Sequence, residues 1–336
     1  MQDKALGQDS PVLRKRLPLL EEFDVHKLDM YFLDLPLGLE PPSITIHSTF
    51  TGNVQGKSPS HPEISNKLVL PQPELDEVVV QNLGGTINPH DWKFPIFCPA
   101  PGARIGCDFY GEVMALGPHA KSRRPDIHIG SRVCGVVYGS ISLQPTPGAF
   151  CYYLTAVADL GIVILQSYPP NDAVALSGAA FLTLSLALWR CIGLVGNPSR
   201  PLGVIGSAAH VLVYGASTST GAVALQLVKL DRGADAVFDY SSPSCVDDIK
   251  TYTKDSLRHA QDIIADKKSR QICADPVGAT GSVCTVLGKD SSDPCTKTKS
   301  VRFNYLVAVT WLGREVDLHG PYHRAADPAV RLHVGK

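Results

Sequence analysis

A short turn in the first third of the chain places several chemically useful side chains next to one another. Asn88-Pro89 is a dipeptide that initiates turns. A histidine, an acid, an indole and an amine follow in consecutive positions: His90, Asp91, Trp92 and Lys93. An indole can stack on a flat ring, and an amine can act as a cation or a proton donor. Taken alone, these residues are equally consistent with a plain surface turn.

A second stretch has the order strand, turn, helix that suits a nucleotide phosphate. The run from His210 to Tyr214 is mostly apolar, as in the buried strands of parallel sheets, and the run from Ala222 to Leu230 is typical of a helix. The first N–H groups of a helix and its positive dipole end attract phosphate. The turn offers two glycines for tight packing and four hydroxyls for phosphate oxygens: Gly215, Gly221, Ser217, Thr218, Ser219 and Thr220. It does not match the pattern G-x-G-x-x-G, so an ordinary loop is the alternative.

A third stretch contains Cys107 beside Asp108, a pair that could suggest a metal site. We expect no metal there, because no histidine or cysteine partner lies at ligand spacing. The sequence has nine cysteines, and none forms a CxxC pair. We therefore predict that Cys107 is buried and structural, and that the thiols are reduced in a cytoplasmic protein.

Two halves of the chain, which differ in their pattern of strand-forming and helix-forming residues, must position these side chains. The region from Val69 to Val163 has short β-rich runs separated by Gly and Pro, which predicts a partly open β-barrel. The sequence of residues 171–191 then predicts a long helix with a break at Gly178. After a Pro/Gly-rich linker, strands and helices alternate, which indicates an α/β fold with a doubly wound parallel sheet. Over both halves, the predicted strands are 77–81, 110–116, 131–138, 282–287 and 304–310, and a further predicted helix is 245–253.

Composition excludes several classes of function. The 336 residues are 44% hydrophobic and 19% charged, so the chain can bury a core. The net charge is −1, which does not indicate the clustered basic surface that binds nucleic acid. The first residues include acids and no apolar segment, so we expect no secretory signal. The apolar run from Ala173 to Trp189 is slightly short for a membrane span and contains hydroxyl residues, so a buried helix is expected instead.

Several motifs together resemble one family. They are NPHDWK, GCDFYGEV, GSRVCGVVYG, PGAFCYYL, VLVYGASTSTGAVALQLVKL, GADAVFDY and TYTKDSLRHAQDII. In this order, from about Leu70 to Asp317, they are similar to the fungal trans-acting enoyl reductases that partner polyketide synthases. These form part of the zinc-independent, quinone-oxidoreductase-like branch of the medium-chain dehydrogenases/reductases. The resemblance implies a GroES-like β-barrel domain followed by a Rossmann domain, with NADPH delivering a hydride to a small-molecule or carrier-bound enoyl substrate.

The resemblance also implies roles for individual residues. Lys93 and Thr183 are implied to be catalytic, and His90 to Lys93 to lie near the nicotinamide. Ser217 to Thr220 match the family's phosphate loop between Gly215 and Gly221, and Tyr240 matches a tyrosine on the adenosine side of the cofactor. Cys107 stands where zinc-dependent relatives have a histidine ligand, which agrees with a site that holds no metal.

The chain departs from the family pattern in three places. Leu230 is followed at once by Asp231, where the family has a further strand and the loop that grips the ribose 2′-phosphate. Residues 18–71 read as an irregular insert, and the chain stops at Lys336 before the segment that returns to the catalytic domain. The predicted domains are the start of the catalytic domain (1–17), the insert (18–71), the GroES-like domain (72–195), a linker (196–203) and an incomplete Rossmann domain (204–336).

Three functions stay open at this point. The first is the enoyl reductase. The second is a quinone or enone oxidoreductase that acts on free small molecules, and the third is a non-catalytic remnant.

Overall fold

The computed structural model describes residues 49–58, 61–142, 144–176, 178–193, 210–229, 234–286, 301–306, 308–314 and 325–326. The chain divides into two compact units. We call residues 29–186 with 307–336 the antiparallel unit, and residues 1–28 with 187–306 the parallel unit. Each is described separately below.

A five-stranded antiparallel sheet forms the centre of the antiparallel unit. Its strands are β3 (Glu77–Gly84), β4 (Asp108–Leu116), β5 (Arg132–Val136), β6 (Tyr153–Val157) and β7 (Ile162–Val163), in the spatial order β6-β3-β4-β5-β7. Branched residues such as Val78, Val79 and Val80 favour the extended backbone, and all three are buried. The core beneath the sheet includes Phe109 and Leu154.

A β-hairpin occupies part of the region that the sequence predicts to be an irregular insert. Strand β1 (Thr49–Gln55) pairs antiparallel with β2 (Pro62–Val69). Isolated bridges join Gly52 to Cys151 and Val54 to Arg104, so β1 also contacts the rest of the unit. The prediction of irregular structure is therefore wrong for residues 49–55 and 62–69; residues 1–48 and 59–60 lie outside the described part of the chain. Strand β2 has no buried position, and its sequence, PEISNKLV, does not alternate apolar and polar residues, so it carries no strand signal.

Four α-helices accompany this sheet in the part of the chain that the structure describes: α1 (Pro89–Phe97), α2 (Pro118–Arg123), α3 (Pro170–Leu176) and α4 (Ala179–Ser185). The predicted break at Gly178 is confirmed, and a π-helical turn, Leu186–Cys191, follows α4 directly. The stretch Pro170–Cys191 is long and apolar enough to cross a membrane, with a mean hydropathy of 1.5. Since 62% of an 18-residue window within it is buried inside the structure, it also has the character of a core helix.

The parallel unit contains a four-stranded parallel sheet, which confirms the predicted α/β class. Its strands are β8 (Val211–Tyr214), β9 (His259–Asp262), β10 (Ser282–Thr285) and β11 (Arg302–Tyr305), in the spatial order β11-β10-β9-β8. Its helices are α5 (Ser219–Lys229), α6 (Cys245–Thr253) and α7 (Lys267–Ala274).

Strand β8 lies at the edge of this sheet. Among the described residues it pairs only with β9, and its apolar residues Val211, Leu212 and Val213 are no more than half-buried. Residues 236–239, in the segment GADAVFDY, are not in a strand. This arrangement is what we expect if a strand is missing after Leu230, because the first strand of a Rossmann sheet normally has neighbours on both sides.

The structure differs from two predictions about the end of the chain. Residues 304–310 do not form one strand, since β11 ends at Tyr305 and Ala308–Leu312 is a 3₁₀ helix. Residues 308–314, which the sequence assigns to the Rossmann domain, cluster with the antiparallel unit. A returning segment is thus present: the indole of Trp311 is 2% exposed, and Arg314 forms ion pairs with Asp76 and Glu77.

Candidate functional site

Helix α1 begins where the sequence predicts a turn. Asn88 has an extended backbone and precedes Pro89, whose fixed φ suits the first helical position. The Asn88 N–H donates to Asp91 Oδ2 at 2.6 Å, which satisfies a backbone donor at the start of the helix. The helix therefore starts at a defined residue, and this sets the directions of the side chains that follow.

Two of the predicted site residues on α1 point into the antiparallel unit. The His90 ring packs against those of Phe94 and Tyr138, with its centroid 4.6 Å from each. Burial lowers the pKa of His90 to about 4, so its imidazole is neutral at pH 7. Asp91 is 5% exposed, and burial raises its pKa to about 7. Direct contact of these two residues with a cofactor stays a prediction.

The next two residues are more accessible than Asp91, since Trp92 is exposed and Lys93 is half-buried. Trp92 is 58% exposed, and the Lys93 ammonium lies 5.2 Å from the centre of its ring. Ile96 and Phe97, one turn further along α1, are exposed as well. An exposed indole beside a cation can contact a flat or anionic ligand, so of the four predicted residues Trp92 and Lys93 are the ones free to do so.

Asp108, at the start of β4, joins two segments that carry predicted site residues. Its Oδ2 accepts hydrogen bonds from Thr86 Oγ1 at 2.7 Å and from Asn88 Nδ2 at 2.8 Å. Its Oδ1 accepts from the N–H of Ala179 at 3.0 Å. Burial raises the pKa of Asp108 to about 6, and these three bonds oppose the increase. Ala179 is the first residue of α4, which carries the half-buried Thr183.

Cys107 is buried, as the sequence predicts. Burial raises the pKa of its thiol well above the ordinary range, and the nearby Asp91 and Asp108 carboxyls add to this. A protonated thiol is a poor metal ligand. Within the described ranges, no group of three or more His, Cys, Asp or Glu side chains is arranged to hold a metal ion.

The predicted phosphate turn lies between β8 and α5, at the carboxyl end of the strand. Gly215 has a φ of +86°, and a Cβ on Gly221 would lie 2.1 Å from the Gly215 carbonyl oxygen, so both positions require glycine. The Thr218 hydroxyl donates to that carbonyl at 2.7 Å and accepts from the N–H of Gly221 at 3.0 Å. Thr218 therefore caps α5, while the exposed Ser217 and Ser219 can reach a ligand.

Tyr240 lies near this turn in the parallel unit. It is 59% exposed, and its ring centre is 5.8 Å from that of Tyr214, the last residue of β8. The ammonium of Lys268 lies 5.4 Å from the Tyr240 ring. Sequence reasoning found Tyr240 through the family motif but missed Lys268, which has no local signal in the sequence.

These features fit a nicotinamide dinucleotide. The turn combines close backbone approach, exposed hydroxyls and the start of an 11-residue helix, which together suit a pyrophosphate. The carboxyl ends of parallel strands are where α/β sheets bind such ligands. The exposed ring of Tyr240 offers a surface for a base or ribose.

Comparison with individual known proteins shows the family, although no family model matches the chain. The chain is 37% identical to the trans-enoyl reductase poxP of Penicillium oxalicum over 320 residues, which cover 90% of this chain and 84% of poxP.

Solved structures agree in fold. The CurK enoyl reductase has a TM-score of 0.62 at 12% identity, covering 85% of this chain and 86% of its own. A mycobacterial protein in complex with NADPH has a TM-score of 0.57 at 17% identity, covering 78% of this chain and 82% of its own. With its GroES-like and Rossmann parts, this protein is an oxidoreductase of the nicotinamide-dependent medium-chain dehydrogenase/reductase fold, and it belongs to the trans-enoyl reductases.

Proposed function

We propose that this protein uses NADPH to reduce the carbon–carbon double bond of an enoyl thioester carried by a polyketide synthase in the cytoplasm. The observation that carries the proposal is the 37% identity to a trans-enoyl reductase over 90% of the chain. The phosphate turn, which keeps its glycines and two exposed hydroxyls, supports the choice of cofactor class.

The parallel unit would hold the nucleotide. The N–H groups at the start of α5 and the hydroxyls of Ser217 and Ser219 are available for the pyrophosphate, while Thr218 keeps the turn in shape. Tyr240 would pack on the adenosine, with the Lys268 cation beside its ring. That cation is the described group best suited to a 2′-phosphate, since the family's own loop is missing after Leu230.

The antiparallel unit would supply the reactive side chains. NADPH, when bound, supplies the hydride. Reduction of an enoyl thioester places negative charge on the thioester oxygen, and the Lys93 ammonium is the cation on α1 that can stabilise it. The hydroxyl of Thr183 is a second donor. His90 is not a proton donor at pH 7, because its pKa is lowered to about 4.

Steady-state assays with three kinds of acceptor test the proposal. The acceptors are an enoyl group on a carrier protein, the same group on pantetheine, and a free quinone, each with NADPH. We expect turnover on the carrier-bound thioester and little on the quinone. Turnover on the quinone alone would instead identify a quinone oxidoreductase, and failure to bind NADPH in a calorimetric titration would identify a remnant without catalytic function.

A further inference from the structure

We propose that Asp108 is a positioning residue for the reductase reaction, because its carboxylate holds the helix that carries Lys93 and the helix that carries Thr183 in one fixed arrangement. This inference rests on the proposed function. It concerns only the antiparallel unit, where all the residues involved lie.

The first connection runs to α1. Asp108 Oδ2 accepts hydrogen bonds from the Thr86 hydroxyl at 2.7 Å and from the Asn88 side-chain amide at 2.8 Å. Asn88 is the residue that caps α1, and Lys93 follows five positions later on the same helix. The position of the Lys93 backbone is therefore set by where Asp108 holds Asn88.

The second connection runs to α4. Asp108 Oδ1 accepts from the N–H of Ala179 at 3.0 Å, which is the first N–H group of that helix. The residue before it is Gly178, which has no side chain to cap the helix, so Asp108 does so from a distant strand. A carboxylate is favoured there by the helix dipole. Thr183 lies four positions after Ala179, about one helical turn away.

Two glycines allow both segments to reach Asp108. A Cβ on Gly85 would lie 2.3 Å from the backbone oxygen of Asp108, and one on Gly178 would lie 2.9 Å from the Cβ of Val136. Val136 is the partner of Asp108 in the pairing of β4 with β5. Both segments thus lie against the same pair of residues, at distances that only glycine permits.

The chemistry of the three donors requires a carboxylate. All three partners donate, and an ionised carboxylate is the side chain that accepts at both oxygens and donates at neither. An asparagine at position 108 has the same size but one donor end. That end would face either the Asn88 amide or the Ala179 N–H, so one of these two donors would lose its acceptor.

A swap of the two side chains tests this directly. In Asp108→Asn the connection is broken, whereas in Asp108→Asn combined with Asn88→Asp the amide of residue 108 can donate to the carboxylate of residue 88. We expect the single variant to lower kcat roughly 10²-fold, as misplacement by about 1 Å does, with the KM for NADPH nearly unchanged. The double variant should recover most of the loss. Asp159→Asn is the matched control, because Asp159 lies in the same unit and pairs with Arg123 away from both helices.

Hydrogen exchange gives a readout that does not need activity. We expect faster exchange of the Asp108→Asn protein in residues 86–97 and 178–185 and unchanged exchange elsewhere. Thr86→Val, which removes one donor and leaves the carboxylate, should shift both kcat and exchange in the same direction if Asp108→Asn does not fold. Unchanged kcat and exchange, no rescue by the swap, or equally faster exchange throughout both units would each overturn the proposal. If the wild-type chain reduced no enoyl thioester, the proposed function would fail while the exchange data still decided the role of Asp108.

Discussion

Neighbouring residues on α1 have opposite environments, and this decides what each can do. Asp91 faces Cys107 in the interior, whereas Lys93, two positions later, lies beside an exposed indole. Residues two apart on a helix point in different directions, since 3.6 residues make one turn. The segment NPHDWK therefore combines a buried half that holds the helix in place and an outer half that can contact ligands.

Replacement of Lys93 tests the outer half. We expect Lys93→Ala to lower kcat on an enoyl thioester by roughly 10²-fold, because a cation matters most when charge develops in the transition state. The dissociation constant for NADPH should change far less. Stopped-flow turnover and calorimetric titration measure the two quantities, with Lys121→Ala on α2 as control. Unchanged turnover would show that Lys93 is only a surface residue.

Asp91 makes the stability of the protein depend on pH. Its pKa is about 7 in the folded chain and ordinarily 3.8, so between these values the folded state binds more protons than the unfolded state. The free energy of unfolding should therefore fall as the pH rises from about 4 to about 7. Asp91→Asn should flatten this slope and be more stable at pH 8 by on the order of 2–4 kcal/mol. Urea unfolding of both proteins at several pH values measures this slope. An equal slope in the two proteins would contradict a raised pKa for Asp91.

The burial of Cys107 and the turn at Asn88 could be predicted at this scale, because both follow from local residue types. The role of Asp108 could not. Its three partners lie 20, 22 and 71 positions away in the sequence, and only the fold brings them together.

At the scale of elements, the turn between β8 and α5 divides its hydroxyls between two tasks. Sequence reasoning assigned all four to the phosphate, since spacing alone does not distinguish them. The structure shows that the Thr218 hydroxyl is occupied at both ends by Gly215 and Gly221. Ser217 and Ser219 are exposed.

Paired alanine variants separate the two tasks. Thr218→Ala should lower the free energy of unfolding by about 1 kcal/mol, the usual cost of a lost helix cap. Ser217→Ala should leave stability unchanged and weaken NADPH binding by roughly tenfold, as expected for a lost bond to a charged phosphate. Thermal unfolding and titration of both proteins measure these effects. The opposite pattern would mean that the hydroxyls have exchanged roles.

Other elements differed in how well the sequence predicted them. Strand β3 and helix α6 follow from a run of valines and from a helical apolar stripe. Strand β9 and helix α7 were missed because they are only four and eight residues long and lie in polar sequence. Short elements of this kind are fixed by their neighbours in the sheet, which local propensity does not reveal.

At the scale of the whole molecule, the edge position of β8 affects cofactor binding. The strand leads into the phosphate turn, yet among the described residues one of its sides has no strand partner. We expect the chain as it stands to bind NADPH weakly and to discriminate poorly against NADH. Insertion of a strand and a basic loop between Leu230 and Asp231 should restore both, since each charge-assisted phosphate bond is worth about 1.5–3 kcal/mol. Calorimetric titration of both proteins measures the dissociation constants for NADPH and NADH. Equally tight NADPH binding before and after insertion would refute the expectation.

The return of the chain to the antiparallel unit has a consequence for its synthesis. Glu77 and its partner Arg314 are 237 residues apart, so at about 5–20 residues per second the ribosome needs roughly 10–50 s to make the second after the first. By the end of that time the parallel unit has been synthesised as far as its last residue, Leu306, while Tyr138 still lacks the indole of Trp311. The antiparallel unit, whose five-stranded sheet is synthesised before the parallel sheet, is therefore completed last. We therefore expect chaperones to act on a nascent form in which Asp76 and Glu77 lack Arg314 and Tyr138 lacks Trp311.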